Sequence, residues 1–217
     1  MKKFNISQEA LMGKKGILLD LDNTLYNYKI CHEYALRACY GFLRGRTKFS
    51  YKEFEANYYL ARKKIKKQVE GFSAAHSRLL VFQNFFENLD GRTNIALTLT
   101  MERIYWRSFF KKMKLYSGVL EFLAECGRRG IKICLVTDLT ARVQFEKVRL
   151  LRVDKYLDFI VSSEEAGADK PHKKIFSLAL KKLGVSPGEA LLVGDDYKKD
   201  VLGARALGIK TVLVGGE

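Results

Sequence analysis

Five short runs of consecutive apolar residues constrain the fold of this 217-residue chain more than any other feature. The runs read GILLDL, IKICLV, LDFIVS, ALLVGD and KTVLVG, and they begin at residues 16, 131, 157, 190 and 210. Each run is apolar on successive positions, which is typical of strands covered on both faces in a parallel sheet. The segments that join the last four runs have helical spacing, and two of them close with Gly184 and Gly208 as helix-stop signals. The sequence therefore predicts a βαβ alternation.

A long stretch of different composition separates the first run from the second. From Tyr28 to Lys112 the chain is rich in aromatic and basic residues and contains no proline. Its apolar residues recur at helical spacing, which predicts four amphipathic helices at Cys31–Arg44, Tyr51–Val69, His76–Asn88 and Arg92–Lys112. We predict an α/β fold with a Rossmann-like parallel sheet core formed by residues 1–26 and 113–217. Residues 27–112 are predicted to be an inserted all-helical domain.

The composition excludes a membrane-spanning protein and favours a reduced compartment. The apolar runs are far shorter than the roughly 20 residues that cross a bilayer, and the N-terminus lacks the apolar stretch of a secretory signal. Cys31, Cys39, Cys126 and Cys134 lack metal-ligand spacing, so we interpret them as buried thiols. The three histidines (His32, His76 and His172) form no metal motif and are interpreted as core or surface residues. We expect a cytoplasmic protein.

The formal net charge of +15 predicts attraction to anions without saying which anion. The basic residues are spread along the chain, and many lie at helical spacing beside apolar residues, as on solvated helix faces. No helix-turn-helix, zinc-finger or RNA-recognition pattern accompanies them, so nucleic acid is not the expected partner.

Acidic and polar residues follow the apolar runs at the points where the predicted strands end. Asp20 and Asp22 close the first run, Thr137 and Asp138 the second, and Asp195 and Asp196 the fourth, while Lys170 lies in the loop after the third. Ligands of open parallel sheets bind beyond the carboxyl ends of the strands, so these residues are predicted to converge. Carboxylates that share a site repel one another unless they share a cation, and hard oxygen ligands favour Mg²⁺.

These residues belong to four segments that resemble the motifs of the haloacid dehalogenase-like (HAD) hydrolase superfamily. The segments are DLDNTL at residues 20–25, LVTD at 135–138, KP at 170–171 and VGDDYKKD at 193–200. They occur in the family's order and spacing, and the resemblance covers residues 14–26 and 113–217. The helical insertion resembles the cap domain that one subfamily carries between its first and second motifs.

The resemblance implies a phosphatase that works through an aspartyl-phosphate. Asp20 would be the nucleophile, and Asp22 would protonate the leaving oxygen and later accept a proton from water. Thr24 and the turn after it would order this loop. Thr137 and Lys170 would bind the phosphoryl group, and Asp138 would lie beside it, although the family more often has asparagine or a small residue there. Mg²⁺ would be held by Asp20, the Asp22 carbonyl and Asp195, with Asp196 or Asp200 close by.

Asp22 favours phosphoryl transfer over dehalogenation, because family members that displace halide lack an acid at this position. The expected substrate is a small phosphorylated metabolite: a sugar phosphate, phosphoglycolate or a nucleotide monophosphate. Tyr28, Lys29 and the Arg62–Lys67 run are candidates to contact the leaving group. Two alternatives remain open, namely a phosphomutase and a non-catalytic protein that binds nucleic acid or a protein partner through its basic surface. A monomer or homodimer is expected.

Overall fold

The computed structural model describes residues 4–46, 48 and 50–214. The chain forms two compact units. One contains the residues up to Asn27 together with those from Lys114 onward, and the other is Tyr28–Met113.

A five-stranded sheet organises the first unit. Its strands are β1 (Gly16–Leu19), β2 (Lys132–Thr137), β3 (Phe159–Ser162), β4 (Ala190–Gly194) and β5 (Lys210–Leu213). All neighbouring strands are parallel, in the order β3-β2-β1-β4-β5. The predicted α/β fold with a parallel sheet is confirmed. The last predicted strand also included Gly215, which lies outside the described residues.

Helices cover the sheet, and this explains why the strands are apolar on successive positions. Every residue of β1 and β4 is buried, and Leu18, Val136 and Leu192 pack in a core with Ile175 and Phe176. The helices of this unit are α5 (Val119–Arg128), α6 (Ala141–Leu151), α7 (Ser163–Ala166), α8 (Lys173–Leu183) and the short α9 (Gly203–Arg205). The edge strand β5 is only partly covered.

The strand order reverses at β1, and this positions the site. From β1 the chain moves outward through β2 to β3, then returns to pair β4 with the other side of β1. Ligands bind beyond the carboxyl ends of the strands at such a switch point. The register places Leu19 beside Val193, and the Asp20 amide donates to the Val193 carbonyl at 2.9 Å. The residues that follow β1 and β4 are therefore neighbours.

The second unit is helical and contains the four predicted helices. They are α1 (Tyr28–Leu43), α2 (Tyr51–Gln68), α3 (Arg78–Asp90) and α4 (Ile95–Lys112). Their aromatic residues form the core of the unit: Phe54 packs against Phe85, and Tyr58 against Phe82. In the described part of the chain, no helix combines the length and apolar character needed to cross a bilayer.

The cysteines lie in the interior, as predicted, and so does His32 of α1. All four cysteines are buried free thiols. His32 is 5% exposed, within hydrogen-bonding distance of Tyr105 and Tyr59. His172 lies on the surface, where its ring accepts a hydrogen bond from the Lys174 amide at the start of α8.

Candidate active site

Asp20 is held at the end of β1 by a loop that folds back on it. Asn23 adopts the left-handed backbone conformation, with φ of 66°, which asparagine tolerates better than most residues. The turn brings the Thr24 hydroxyl to Asp20, where it donates to Oδ2 at 2.6 Å, and places it 3.3 Å from Oδ1 of Asp195. Asp20 is 5% exposed and Thr24 is fully buried. Thr24 therefore orders the loop, as expected from the sequence.

Lys170 contacts the ends of β1 and β2 and the segment Tyr197–Leu202 that follows β4. Its Nζ lies 2.6 Å from Oδ1 of Asp20, 2.7 Å from Oδ1 of Asp200 and 3.3 Å from the Val136 carbonyl oxygen. The lysine and both aspartates are buried. Ion pairs removed from water in this way are much less screened than surface pairs. Lys170 thus fixes one oxygen of Asp20.

The pKa of Asp20 is raised well above its ordinary value by its buried setting. Burial is the largest cause, and the nearby carboxylates of Asp200 and Asp195 add to it, while Lys170 opposes the shift. Burial alone lowers the pKa of Lys170, but the attraction of Asp20 and Asp200 outweighs it and raises that pKa well above its ordinary value. The ammonium is therefore firmly charged, and it is shared by neighbouring carboxyl groups whose ionised forms repel one another.

The structure brings Asp20, Asp195 and Asp200 together. One carboxylate oxygen of each lies within 4.8 Å of the others. Gly194 permits this approach, because a Cβ atom at that position would lie 2.4 Å from Oδ2 of Asp200. Three clustered carboxyl groups, which repel one another when ionised, offer oxygen donors that fit a small, hard divalent cation such as Mg²⁺.

Asp196 points its carboxylate elsewhere. Its Oδ1 accepts hydrogen bonds from the Lys198 and Lys199 amides, at 2.9 and 3.0 Å, and so caps the π-helical segment Tyr197–Leu202. Asp200, in that same segment, is the acid that turns toward Asp20. Between the two residues considered from the sequence, the geometry favours Asp200 as the neighbour of a metal.

Thr137 and Asp138 lie at the end of β2 and are held by hydrogen bonds from neighbouring elements. Gln144 of α6 donates to the Thr137 hydroxyl and, at 2.6 Å, to the Asp138 carbonyl. The Asp138 carboxylate accepts the Lys170 amide at 2.9 Å and pairs with Lys199 at 2.6 Å. Its charge is thus balanced within the protein, which accounts for an acid at this position. Its predicted contact with substrate remains a prediction.

Asp22, the second acid after β1, is paired with a buried lysine of α6. The Nζ of Lys147 lies 2.7 Å from Oδ1 and 2.8 Å from Oδ2 of Asp22. The Tyr26 hydroxyl donates to Oδ1 from the same loop. The Lys147 side chain is 0% exposed and that of Asp22 is 25% exposed. Asp22 therefore keeps access to solvent while its carboxylate is held from the protein side.

Comparison with known proteins agrees with this geometry. A family model described as a haloacid dehalogenase-like hydrolase matches residues 14–208. The chain belongs to this family. The family predicted from the four motifs is confirmed.

Relatives of this HAD hydrolase include enzymes with phosphatase names. Ribulose-1,5-bisphosphate 5-phosphatase of Halopiger xanaduensis is 33% identical over 199 residues, which are 91% of this chain and 83% of the relative. Glyceraldehyde 3-phosphate phosphatase of Methanopyrus kandleri is 29% identical, over 92% of this chain and 83% of the relative. The magnesium-bound HAD-hydrolase YfnB of Bacillus subtilis shares the fold, with a TM-score of 0.67, 20% identity and coverage of 92% and 86%. The phosphatase names agree with the activity predicted from the sequence.

Sequence reasoning missed three polar residues of this HAD site, namely Gln144, Lys147 and Lys199. Gln144 and Lys147 are both 0% exposed and share one face of α6 with the buried Val148 and Leu151. The spacing i, i+3, i+4, i+7 marks that face in the sequence. Two long polar side chains within such an apolar stripe were the signal available, because a buried polar group needs a partner.

Proposed function

We propose that this HAD hydrolase is a Mg²⁺-dependent phosphatase that hydrolyses a small phosphomonoester through an aspartyl-phosphate on Asp20. The observation that carries the proposal is the setting of Asp20. One of its carboxylate oxygens is held by Lys170 and the other by Thr24, beside Asp195 and Asp200. The acid at Asp22, two residues away, supplies the proton chemistry that a phosphate ester needs and a halide does not.

Among the three substrate classes considered from the sequence, a sugar phosphate is the one we favour. The names of two relatives that span most of the chain refer to ribulose 1,5-bisphosphate and glyceraldehyde 3-phosphate. Both are phosphate esters of small sugars. The net charge of +15 also favours approach of such anions.

In the proposed first step, a carboxylate oxygen of Asp20 attacks phosphorus. The P–O bond to the leaving alcohol breaks, and Asp22 gives its proton to the departing oxygen. In the second step, water attacks the phosphorus of the aspartyl-phosphate, the bond between phosphorus and the Asp20 oxygen breaks, and Asp22 takes a proton from the water. Inorganic phosphate leaves, and both aspartates return to their starting states. Dividing one hydrolysis into two displacements lets the same acid serve in both directions.

The remaining residues would bind and orient the phosphoryl group. Lys170 balances negative charge next to Asp20. The Thr137 hydroxyl donates to the Asp138 carbonyl at 3.3 Å and would turn from it to donate to a phosphoryl oxygen. Asp20, the Asp22 carbonyl and Asp195 would hold Mg²⁺, with Asp200 adjacent. The bound cation would offset repulsion between the carboxylates and the phosphate dianion.

Hydrolysis of para-nitrophenyl phosphate and of a panel of sugar phosphates, with Mg²⁺ and with EDTA, tests the proposal. We expect metal-dependent release of phosphate, and a loss of roughly 10⁴-fold or more in kcat for Asp20→Asn, as for loss of essential groups in other covalent enzymes. Asp154→Asn, at an exposed aspartate outside the site, is the matched control and should retain activity. Turnover that survives EDTA or Asp20→Asn would contradict the proposal. Transfer of phosphate to a second sugar hydroxyl would instead identify a phosphomutase.

A further inference from the structure

Lys147 is a buried lysine whose ammonium is directed at one carboxylate of the site. It lies on the inner face of α6 and contacts both oxygens of Asp22, at 2.7 and 2.8 Å. Lysine is among the residues least often found fully buried, because removing its charge from water is costly. An apolar side chain of similar length would fill this position on the buried face of α6 at a lower desolvation cost. The position therefore points to a role for the charge itself.

The contacts also fix how the Asp22 carboxylate is turned. Lys147 approaches it from α6, while Tyr26 approaches Oδ1 from the loop after β1. The Lys147 ammonium also lies 6.0 Å from the centre of the Tyr26 ring, so these two groups pack beside each other. Among the described contacts Oδ1 accepts two hydrogen bonds and Oδ2 accepts one, so both oxygens are oriented by the protein. A carboxylate held from two separate elements cannot rotate freely about its side-chain bonds.

We propose that Lys147 is a positioning residue for Asp22, which orients the carboxylate for proton transfer to the leaving oxygen. This inference rests on the proposed phosphatase function. In this scheme Lys147 acts only through the carboxylate of Asp22, which it contacts at both oxygens. Its removal should harm those reactions in which the leaving group needs a proton.

The dependence of the rate on the leaving group is the readout that separates positioning from a structural role. Para-nitrophenolate departs without protonation, whereas the alcohol of glycerol phosphate requires it. The ratio kcat/KM reports the steps up to formation of the aspartyl-phosphate, so it isolates this first proton transfer. For Lys147→Met we expect kcat/KM to fall by roughly 10- to 100-fold with glycerol phosphate, part of what acid catalysis supplies. With para-nitrophenyl phosphate it should fall by less than about 3-fold.

Lys14→Met is the matched control. Lys14 is also largely buried, at 9% exposed, but it precedes β1 and its Nζ donates to the Gly188 carbonyl at 2.6 Å. In this variant kcat/KM should stay near that of the wild type for both glycerol phosphate and para-nitrophenyl phosphate. Equal losses on the two substrates in Lys147→Met would overturn the inference and indicate a structural role. Values of kcat/KM equal to those of the wild type on both substrates would overturn it too.

A double-mutant cycle tests whether Lys147 acts through Asp22. In an Asp22→Asn background, Lys147→Met should change kcat/KM for glycerol phosphate by less than about 2-fold, because the partner it orients is already disabled. Independent, multiplying effects would refute the inference. Should Lys147→Met fail to fold, Lys147→Arg replaces it: a shifted substrate ratio supports positioning and a wild-type ratio opposes it.

These outcomes are distinct from failure of the proposed function. A wild-type protein without metal-dependent turnover would remove the phosphatase and this inference together. A wild-type enzyme that is active, with a substrate ratio insensitive to Lys147, would remove the inference alone.

Discussion

Lowering the pH from about 6.5 to about 5 is expected to destabilise the helical unit by about 2 kcal/mol through His32. The ring is buried within hydrogen-bonding distance of the hydroxyls of Tyr105, at 2.6 Å, and Tyr59, at 3.2 Å. Burial, together with the positive charges of Arg78 and Arg62, lowers its pKa from 6.5 to about 3. The folded unit therefore holds His32 neutral throughout this pH range.

The sign follows from where the proton binds. Between pH 6.5 and about 3 the unfolded chain protonates His32 and the folded chain does not, so stability falls as the pH is lowered through this window. Each pH unit in the window costs about 1.4 kcal/mol, which gives about 2 kcal/mol over 1.5 units. Well above pH 6.5 both states are neutral, and the contribution of His32 is constant.

The single tryptophan provides a local probe. Trp106 lies in α4 of the same unit and is 8% exposed, so its fluorescence reports unfolding of the helical unit. Urea unfolding followed by this signal, at about pH 6.5 and about pH 5, gives the change in the free energy of unfolding. His32→Gln is the control, because its side chain forms hydrogen bonds and does not titrate. The difference between the two proteins in their pH response should be about 2 kcal/mol, whatever the absolute stability of the variant.

Parallel responses of the wild type and His32→Gln would refute this reasoning. They would mean that the ring is protonated in the folded unit at pH 5, with the hydroxyls of Tyr59 and Tyr105 both accepting from it. A smaller drop for the wild type than for the variant would show that the folded state stabilises the imidazolium, which is opposite to the effect expected beside Arg78.

Two glycine substitutions probe close contacts of the α/β unit. Gly194→Ala places a Cβ atom 2.4 Å from Oδ2 of Asp200, so it should displace that carboxylate, cost about 1–3 kcal/mol in stability and weaken Mg²⁺ binding measured by calorimetry. Wild-type Mg²⁺ affinity in this variant would contradict the placement of Asp200 beside the metal. Gly118→Ala places a Cβ atom 2.1 Å from the Phe4 carbonyl oxygen, at a residue with φ of 93°, and should lower the melting temperature with Mg²⁺ affinity unchanged. A melting temperature equal to that of the wild type would show that this contact relaxes without cost.

The fold was largely predictable because burial leaves a strong periodic signal. Strands covered on both faces must be apolar at every position, and the amphipathic helices show their apolar face every three to four residues. Helix starts were predicted less well. The third helix was predicted to begin at His76 and begins at Arg78, because the Ser77 side chain caps it. The fourth was predicted from Arg92 and begins at Ile95, after the capping residue Asn94. Ser77 and Asn94 are both residue types that favour the N-cap position, so the sequence carries a signal for the observed starts.

The residues of the candidate site that could be predicted are those that directly follow the strands. Asp20 and Asp195 could be placed together because β1 and β4 are parallel neighbours and both end at the same edge. Lys147 could not be placed in this way, because it belongs to α6 and not to a strand end. The strand pattern does not define how α6 is rotated about its own axis, and that rotation decides which of its side chains face the site. Its position depends on how α6 packs against the sheet.

A rule for finding such residues nevertheless follows from the cost of burying charge. Lys147 lies in a helical stripe with Val148 and Leu151, where an apolar side chain is expected. A lysine there must meet a carboxylate or destabilise the fold, since an unpaired buried charge costs several kcal/mol. Because α6 directly follows β2, which pairs with β1, the acids at the end of β1 are the carboxylates that the topology brings within reach. Charged residues in the apolar stripe of a helix next to the switch point are therefore candidates for positioning the strand-end acids, and substitution of Lys147 tests this in the present enzyme.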